Sequence, residues 1–282
     1  MTPSYVGFWA AGGVAGVLAG IFMLRARRAL SPETFAALLV AWCGLAVGAR
    51  WQHRLEYMPV LKALLLSPRE LFEPGMRMPL GLLTGAALAG LWCLLFRAPW
   101  RETGDALAVA ASVLIPVGRF ACLANGCCMG RACGRFALFC LRYPPDTEAY
   151  NAQLDHNLIP AGAPLSLPAH PLPLYFAAAS LLTLGILLWL FRRGAPPGYL
   201  LAAFCILRPL AKLSLEPLRA VPRPPGLMRG IPATVLIVTC AVVAVTAARR
   251  AVRRKETRAG LGGAKPITAA LLALAVGLGV AG

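Results

Sequence analysis

Charge is what this sequence has least of. Of its 282 residues only 14% are Asp, Glu, Lys or Arg, and 11 are acidic. A soluble domain rarely carries so little charge, and here 59% of residues are hydrophobic, with a mean hydropathy of +0.68. No nucleic-acid-binding motif occurs, and aromatics do not interleave with basic residues. The formal charge of +17 is therefore not a nucleic-acid surface. No internal repeat is present, and no low-complexity tract beyond an Ala/Leu/Gly bias. The N-terminus also lacks the order of a cleavable signal peptide, because Arg25, Arg27 and Arg28 follow the apolar run instead of preceding it.

Long apolar runs are what the chain has instead. Seven reach roughly the 17–25 residues that span a bilayer: Tyr5–Leu24, Glu33–Ala49, Met78–Phe96, Asp105–Leu123, Leu172–Phe191, Gly198–Leu215 and Ile231–Ala247. The expected fold is an all-α polytopic membrane protein of about seven transmembrane helices. The tail KPITAALLALAVGLGVAG leaves room for a short eighth. Basic clusters at Arg25/Arg27/Arg28, Arg97/Arg101, Arg192/Arg193 and Arg249–Lys255 fall on one side, which the positive-inside bias makes cytoplasmic. The N-terminus and residues 50–77, 124–171 and 216–230 then lie outside. Met58–Phe72 reads as an interfacial amphipathic element, and the polar, proline-rich stretch 142–171 as a small extramembrane arm or lid.

Several residues stand out against this background. Arg208 lies deep in the sixth span and Arg119 at the outer end of the fourth. An ionisable group at membrane depth is costly and marks a functional site. Arginine's planar fork suits phosphate, so these two, with Lys212 one turn after Arg208, suggest a phospholipid headgroup pocket. The bland alternative is that Arg208 snorkels or pairs with Glu216. Gly118, Gly126, Gly130 and Gly134 allow close backbone approach, Asn125 can orient a polar group, and His170 with Tyr175 stands at the entrance of the fifth span. The cysteines of GRFACLANGCCMGRACGRF are spaced poorly for zinc, and no metal is expected. Adjacent Cys127 and Cys128 are strained as a mutual pair, so a disulfide reaching Cys133 or Cys140 is the better reading.

Taken together, these stretches resemble the prolipoprotein diacylglyceryl transferases. GRFACLANGCCMGR is similar to that family's G-R-x-G-N-F-x-N-x-E-x-x-G-R signature, and AHPLPLY to its H-P-x-Q-L-Y-E. GYLLAAFCILRPLAKLSLEPLR is similar to its Y-x-x-x-R-x-x-x-E-x-x-R segment. VGARWQHRLEY and MPLGLLTGAALAG fit the segments around the second and third helices. The order agrees over about residues 1–250, implying a transferase-like transmembrane domain there and a basic linker with a short apolar tail at 251–282.

The resemblance implies a bacterial inner-membrane enzyme with its N-terminus in the periplasm and no cofactor. It would move diacylglyceryl from phosphatidylglycerol, or another anionic phospholipid, to the lipobox cysteine of a prolipoprotein. By match, Arg119 and Arg208 hold the phosphate. Asn125, Gly118, Gly126 and Gly130 shape the site, and Tyr175 sits at its edge. The sequence departs from the pattern where the family has a histidine and three glutamates. Those positions hold Leu80, Cys127, Phe176 and Lys212, so a binding protein on the same scaffold, or a thiol-redox or metal protein, remains an alternative.

Overall fold

The structure is a computed structural model that describes residues 3–57, 78–133 and 139–220, together with Thr234 and Val238. Among the described residues there are α-helices and isolated bridges but no strand. The helices are α1 (Pro3–Ala26), α2 (Pro32–Tyr57), α3 (Met78–Leu95), α4 (Trp100–Ala124), α5 (Glu148–Asp155), α6 (Leu172–Arg192) and α7 (Tyr199–Leu215). Five stretches are long and apolar enough to cross a membrane: Gly7–Ala26, Pro32–Gln52, Met78–Leu95, Trp100–Ala124 and Leu172–Arg192. The protein is an all-α polytopic membrane protein. The 17-residue α7 is the sixth of the expected spans, continued by a 3-10 turn at Glu216–Leu218. Most of the expected seventh span, the apolar tail and Met58–Phe72 lie outside the described residues. Every element named here belongs to the unit Met1–Ile237.

Helix α4 is the spine of this unit. It packs against α1, α6 and α7, while α2 pairs with α3. Small residues make both pairings close, as expected where no hydrophobic drive separates helix from lipid. On α1, Gly12 and Gly16 face α4; an added Cβ would come 3.1 Å from the Leu114 carbonyl and 2.9 Å from that of Ala110. On α3, Gly81 and Gly85 would meet the Leu45 and Ala41 carbonyls of α2 at 2.6 and 2.5 Å. α4 starts at Trp100, five residues before the expected Asp105, because Pro99 ends the preceding turn and Arg101 and Glu102 continue the helix beyond its apolar part.

Among the described residues the basic clusters Arg25/Arg27/Arg28, Arg97/Arg101 and Arg192/Arg193 converge at one end of the helices. Arg27, just past α1, donates to the Asp105 carboxylate of α4 at 3.1 Å and to the Ala195 carbonyl at 2.8 Å, and lies over the Phe191 ring. Asp105 is fully buried. Its remaining capacity accepts the backbone N–H of Gly198 at 3.1 Å and of Leu201 at 3.0 Å, at the first turn of α7. One carboxylate therefore satisfies orphan donors of one helix and the guanidinium that follows another. Segments 125–133, 139–171 and 216–220 lie at the opposite end.

Removing one partner of a buried ion pair costs more than the pair itself contributes, because the other charge is left stranded. Asp105→Ala should therefore lower stability by about 3–5 kcal/mol. The paired replacement Arg27→Met with Asp105→Leu should lose clearly less. Thermal unfolding in detergent checks this; equal losses from the single and paired variants would show that the ion pair is not the latch.

Candidate functional site

Arg119 stands five residues before the end of α4, and Arg208 seven before the end of α7. At 1.5 Å per residue they lie about 8 and about 10 Å below those helix ends. Both guanidiniums sit over one ring, that of Phe176 on α6, with centroid distances of 4.7 Å for Arg119 and 5.7 Å for Arg208. The ring itself is buried. Among the described residues no carboxylate pairs with either arginine, and Arg208 Nη1 is buried without a hydrogen-bond partner. A ring face compensates a cation by about 0.5–2 kcal/mol, much less than a carboxylate does. Each arginine also has a helix-interrupting proline close by, Pro116 in α4 and Pro209 in α7. Proline has no N–H to give, so the carbonyls of Ser112 and Cys205 lose their helical donors beside the charged groups.

The end of α4 is shaped by its last turn. Asn125 is the C-cap, and Gly126 follows in the left-handed region at φ +62°. Gly126 N–H donates to Leu123 and Cys127 N–H to Cys122, at 3.2 and 3.0 Å. This pair of bonds is a Schellman motif, which brings the side chain after the glycine back onto the helix one turn earlier. Here those two side chains are Cys127 and Cys122. Cys128 is itself left-handed at φ +59°, a conformation costing a non-glycine residue roughly 1–2 kcal/mol, and its thiol joins them. The three Sγ atoms lie within 4.8 Å of one another. Hydrogen bonds from Cys122 and Cys127, and then the Arg119 and Arg219 guanidiniums, hold the Cys128 thiol below the ordinary thiol range. Hydrogen bonding to Cys122 and Cys128, with burial, pushes Cys127 up.

The loop beyond is woven into two other segments. Gly130 N–H donates to His170, His170 N–H to Arg131, and Arg131 N–H to Leu218, at 3.0, 3.0 and 2.8 Å. A Cβ on Gly130 would meet the His170 carbonyl at 2.7 Å, so this weave needs glycine. Gly118 is equally constrained, its face filled by the Trp9 ring. His170 Nδ1 lies 3.2 Å from Tyr175 Oη, which in turn reaches the Phe139 carbonyl. Arg219, buried, pairs with Glu216 at 3.2 Å and faces Cys128. The arm 142–171 folds back on this platform: α5 is capped by Thr147, and Ala149 N–H donates to Gly126. Tyr143, 4% exposed, keeps a hydroxyl with no partner among the described residues. Burial, then charge at Cys127 and Cys128, raises its phenol.

The structure thus brings together most of the expected residues. Arg119, Arg208 and the Phe176 position form one group. Gly126, Gly130, His170 and Tyr175 build the adjacent loop platform. Asn125 serves as a helix cap, and its side-chain amide makes no hydrogen bond among the described residues. Lys212 lies one turn beyond Arg208 with its nitrogen buried. The expected disulfide is corrected: Cys133 pairs with Cys140, not with Cys127 or Cys128, because the Schellman turn carries those two toward Cys122. Arg219 and Tyr143 were not anticipated. For Arg219 a signal existed: Glu216-Pro-Leu-Arg219 has the E-x-x-R spacing of the family segment, four residues after the place where Lys212 was matched. Leu80, at the family's histidine position, lies in the first turn of α3, where its N–H donates to the buried Gln52 at 2.8 Å.

The profile of prolipoprotein diacylglyceryl transferase matches residues 4–252. The chain belongs to this family. Among its relatives are the phosphatidylglycerol–prolipoprotein diacylglyceryl transferases of two Caulobacter vibrioides strains, NA1000 / CB15N and ATCC 19089 / CIP 103742 / CB 15. Each is 32% identical, over 77% of this chain and 77% of the relative. For a member of a transferase family, the two arginines over Phe176 and the Cys122–Cys127–Cys128 cluster at one end of α4 are the chemically distinctive features.

The Gly126 turn is open to direct test. A Cβ there would be strained by φ +62° and would lie 2.6 Å from Thr147 Cβ. Gly126→Ala should cost about 2 kcal/mol or more in thermal unfolding. Gly90→Ala, at an open helical position of α3, should be neutral or slightly stabilising. Equal behaviour of the two variants would refute the role given to the turn.

Proposed function

We propose that this protein transfers a diacylglyceryl group from phosphatidylglycerol to the lipobox cysteine thiol of a prolipoprotein, with release of glycerol phosphate. The observation that carries this reading is the pair of guanidiniums over Phe176 with no carboxylate paired to them among the described residues. A phosphodiester supplies the missing negative charge, and its oxygens match the arginine fork. As the C–O bond breaks, charge develops on the departing phosphate between Arg119 and Arg208, where fixed cations stabilise it. Lys212 adds a third cation near the headgroup. Gly118, Gly126 and Gly130 shape the site by letting Trp9, Thr147 and His170 approach the backbone closely, and Asn125 can orient the glycerol. The His170–Tyr175 pair stands where a proton can be passed at the mouth of the site. The matches to the two Caulobacter enzymes support the same donor and acceptor.

In this reading the protein sits in the bacterial inner membrane with its basic end cytoplasmic and its N-terminus and arm periplasmic. Cysteine-accessibility mapping should place residues 141–170 outside. Finding them in the cytoplasm would put the headgroup site on the wrong face for an exported acceptor.

Charge-assisted hydrogen bonds contribute about 1.5–3 kcal/mol each. Arg119→Ala and Arg208→Ala should each weaken phosphatidylglycerol binding roughly ten- to a hundredfold, and lysine should restore it only in part. Native mass spectrometry with a lipid-displacement titration measures this. A lipidation assay with phosphatidylglycerol and a lipobox peptide should give the diacylglyceryl thioether. Wild-type binding in both alanine variants would sink the headgroup site. Binding without thioether formation would make the protein a lipid-binding member of the family, as the substitutions at Leu80, Phe176 and Lys212 would then explain.

A further inference from the structure

We infer that Cys122, Cys127 and Cys128 form a zinc site with one open coordination position, and that this position takes the acceptor thiol. The linear spacing of these cysteines fits no zinc finger, but the Schellman turn and the left-handed Cys128 replace sequence spacing with a fold-made triangle. Thiolates about 2.3 Å from a tetrahedral zinc lie about 3.8 Å apart. The three sulfurs already stand within 4.8 Å of one another, so closing on an ion needs a shift of no more than about 1 Å. Cys133 and Cys140 are bonded to each other and do not compete.

The surroundings favour an anionic centre. Three thiolates on a divalent ion carry a net negative charge. Arg119 reaches the cluster from within α4 and Arg219 from the turn after α7. The unpartnered Tyr143 hydroxyl, on a side chain 4% exposed, gives a second sign that a polar occupant belongs here. Among the described residues no carboxylate or imidazole joins the three thiols as a fourth ligand. Structural zinc sites are closed by four protein ligands, whereas three ligands leave a position for a reacting group.

That vacancy has a use, and this part rests on the transferase reading. The family's signature glutamate is Cys127 here, and the histidine and other glutamates are also replaced, so the side chains expected to deprotonate an acceptor are gone. A thiol that coordinates zinc loses its proton to water. The bound sulfur then attacks the glyceryl carbon of phosphatidylglycerol. The C–S bond forms, the C–O bond breaks, and its electron pair leaves on the phosphate oxygen held by Arg119 and Arg208.

The test uses the full-length protein purified in detergent. Elemental analysis should find about one zinc per chain, lost in both Cys122→Ser and Cys127→Ser. A mercurial thiol reagent should release that zinc from the folded wild type, which keeps the test valid if a variant unfolds. Cobalt in place of zinc should show thiolate-to-cobalt charge transfer, and a lipobox peptide, but not its Cys→Ser analogue, should shift the cobalt d–d bands. Absence of zinc, copper or iron in place of zinc, or zinc retained by both serine variants, overturns the site. Cobalt bands indifferent to the peptide overturn the open position. Neither result touches phosphatidylglycerol binding by Arg119 and Arg208, which judges the transferase reading separately.

Discussion

Two guanidinium groups held over one benzene ring, with no carboxylate paired to them among the described residues, govern the site end of this molecule. Arg119 and Arg208 come from different helices and repel each other. Phe176 spaces them and offers its faces, but a ring quadrupole cannot neutralise two cations at membrane depth. The remaining compensation must come from outside the described residues, and an anionic lipid is the abundant source in a bilayer. The aromatic ring at position 176 attracts both arginines without forming an ion pair with either.

The same helix that carries Arg119 is anchored at both ends by backbone donors seeking acceptors. At its start, Asp105 collects N–H groups from α7 and the guanidinium after α1. At its end, the Gly126 turn returns Cys127 to Cys122 and hands the chain to a weave with His170 and Leu218. Between these ends small residues let α1 approach the α4 carbonyls closely. Since hydrophobic attraction between helices vanishes in lipid, such close packing and buried polar ties decide which helices meet. The position of Arg119 is therefore set by the whole length of α4.

Charge distribution along the bundle separates the two ends by purpose. At the basic end Arg27 is neutralised by Asp105, and the arrangement is structural. At the site end Glu216 meets Arg219, which faces the Cys128 sulfur, and Arg119 also lies beside the thiols. Positive charge there exceeds what the described acidic residues can match. In the proposed reading, thiolate and phosphate complete the balance.

The sequence by itself determined six of the long helices, their order and the two arginines, but not the short α5. Apolar runs near the length of a bilayer, and the high cost of burying charge, are properties that survive in one dimension. The helix limits moved only where polar residues continued a helix past its apolar part, as at Trp100–Asp105. Only the tertiary structure decided what those residues face. That Phe176 lies under both arginines depends on how α4, α6 and α7 are rotated against one another. That Cys127 and Cys128 turn to Cys122 while Cys133 takes Cys140 depends on two left-handed residues, whose φ values no spacing reveals. The buried role of Tyr143 depends on an arm folding back on the platform. Hydropathy records which residues avoid water; it holds no information on which of them meet, because that choice is made by backbone geometry and by polar ties between segments far apart in the chain.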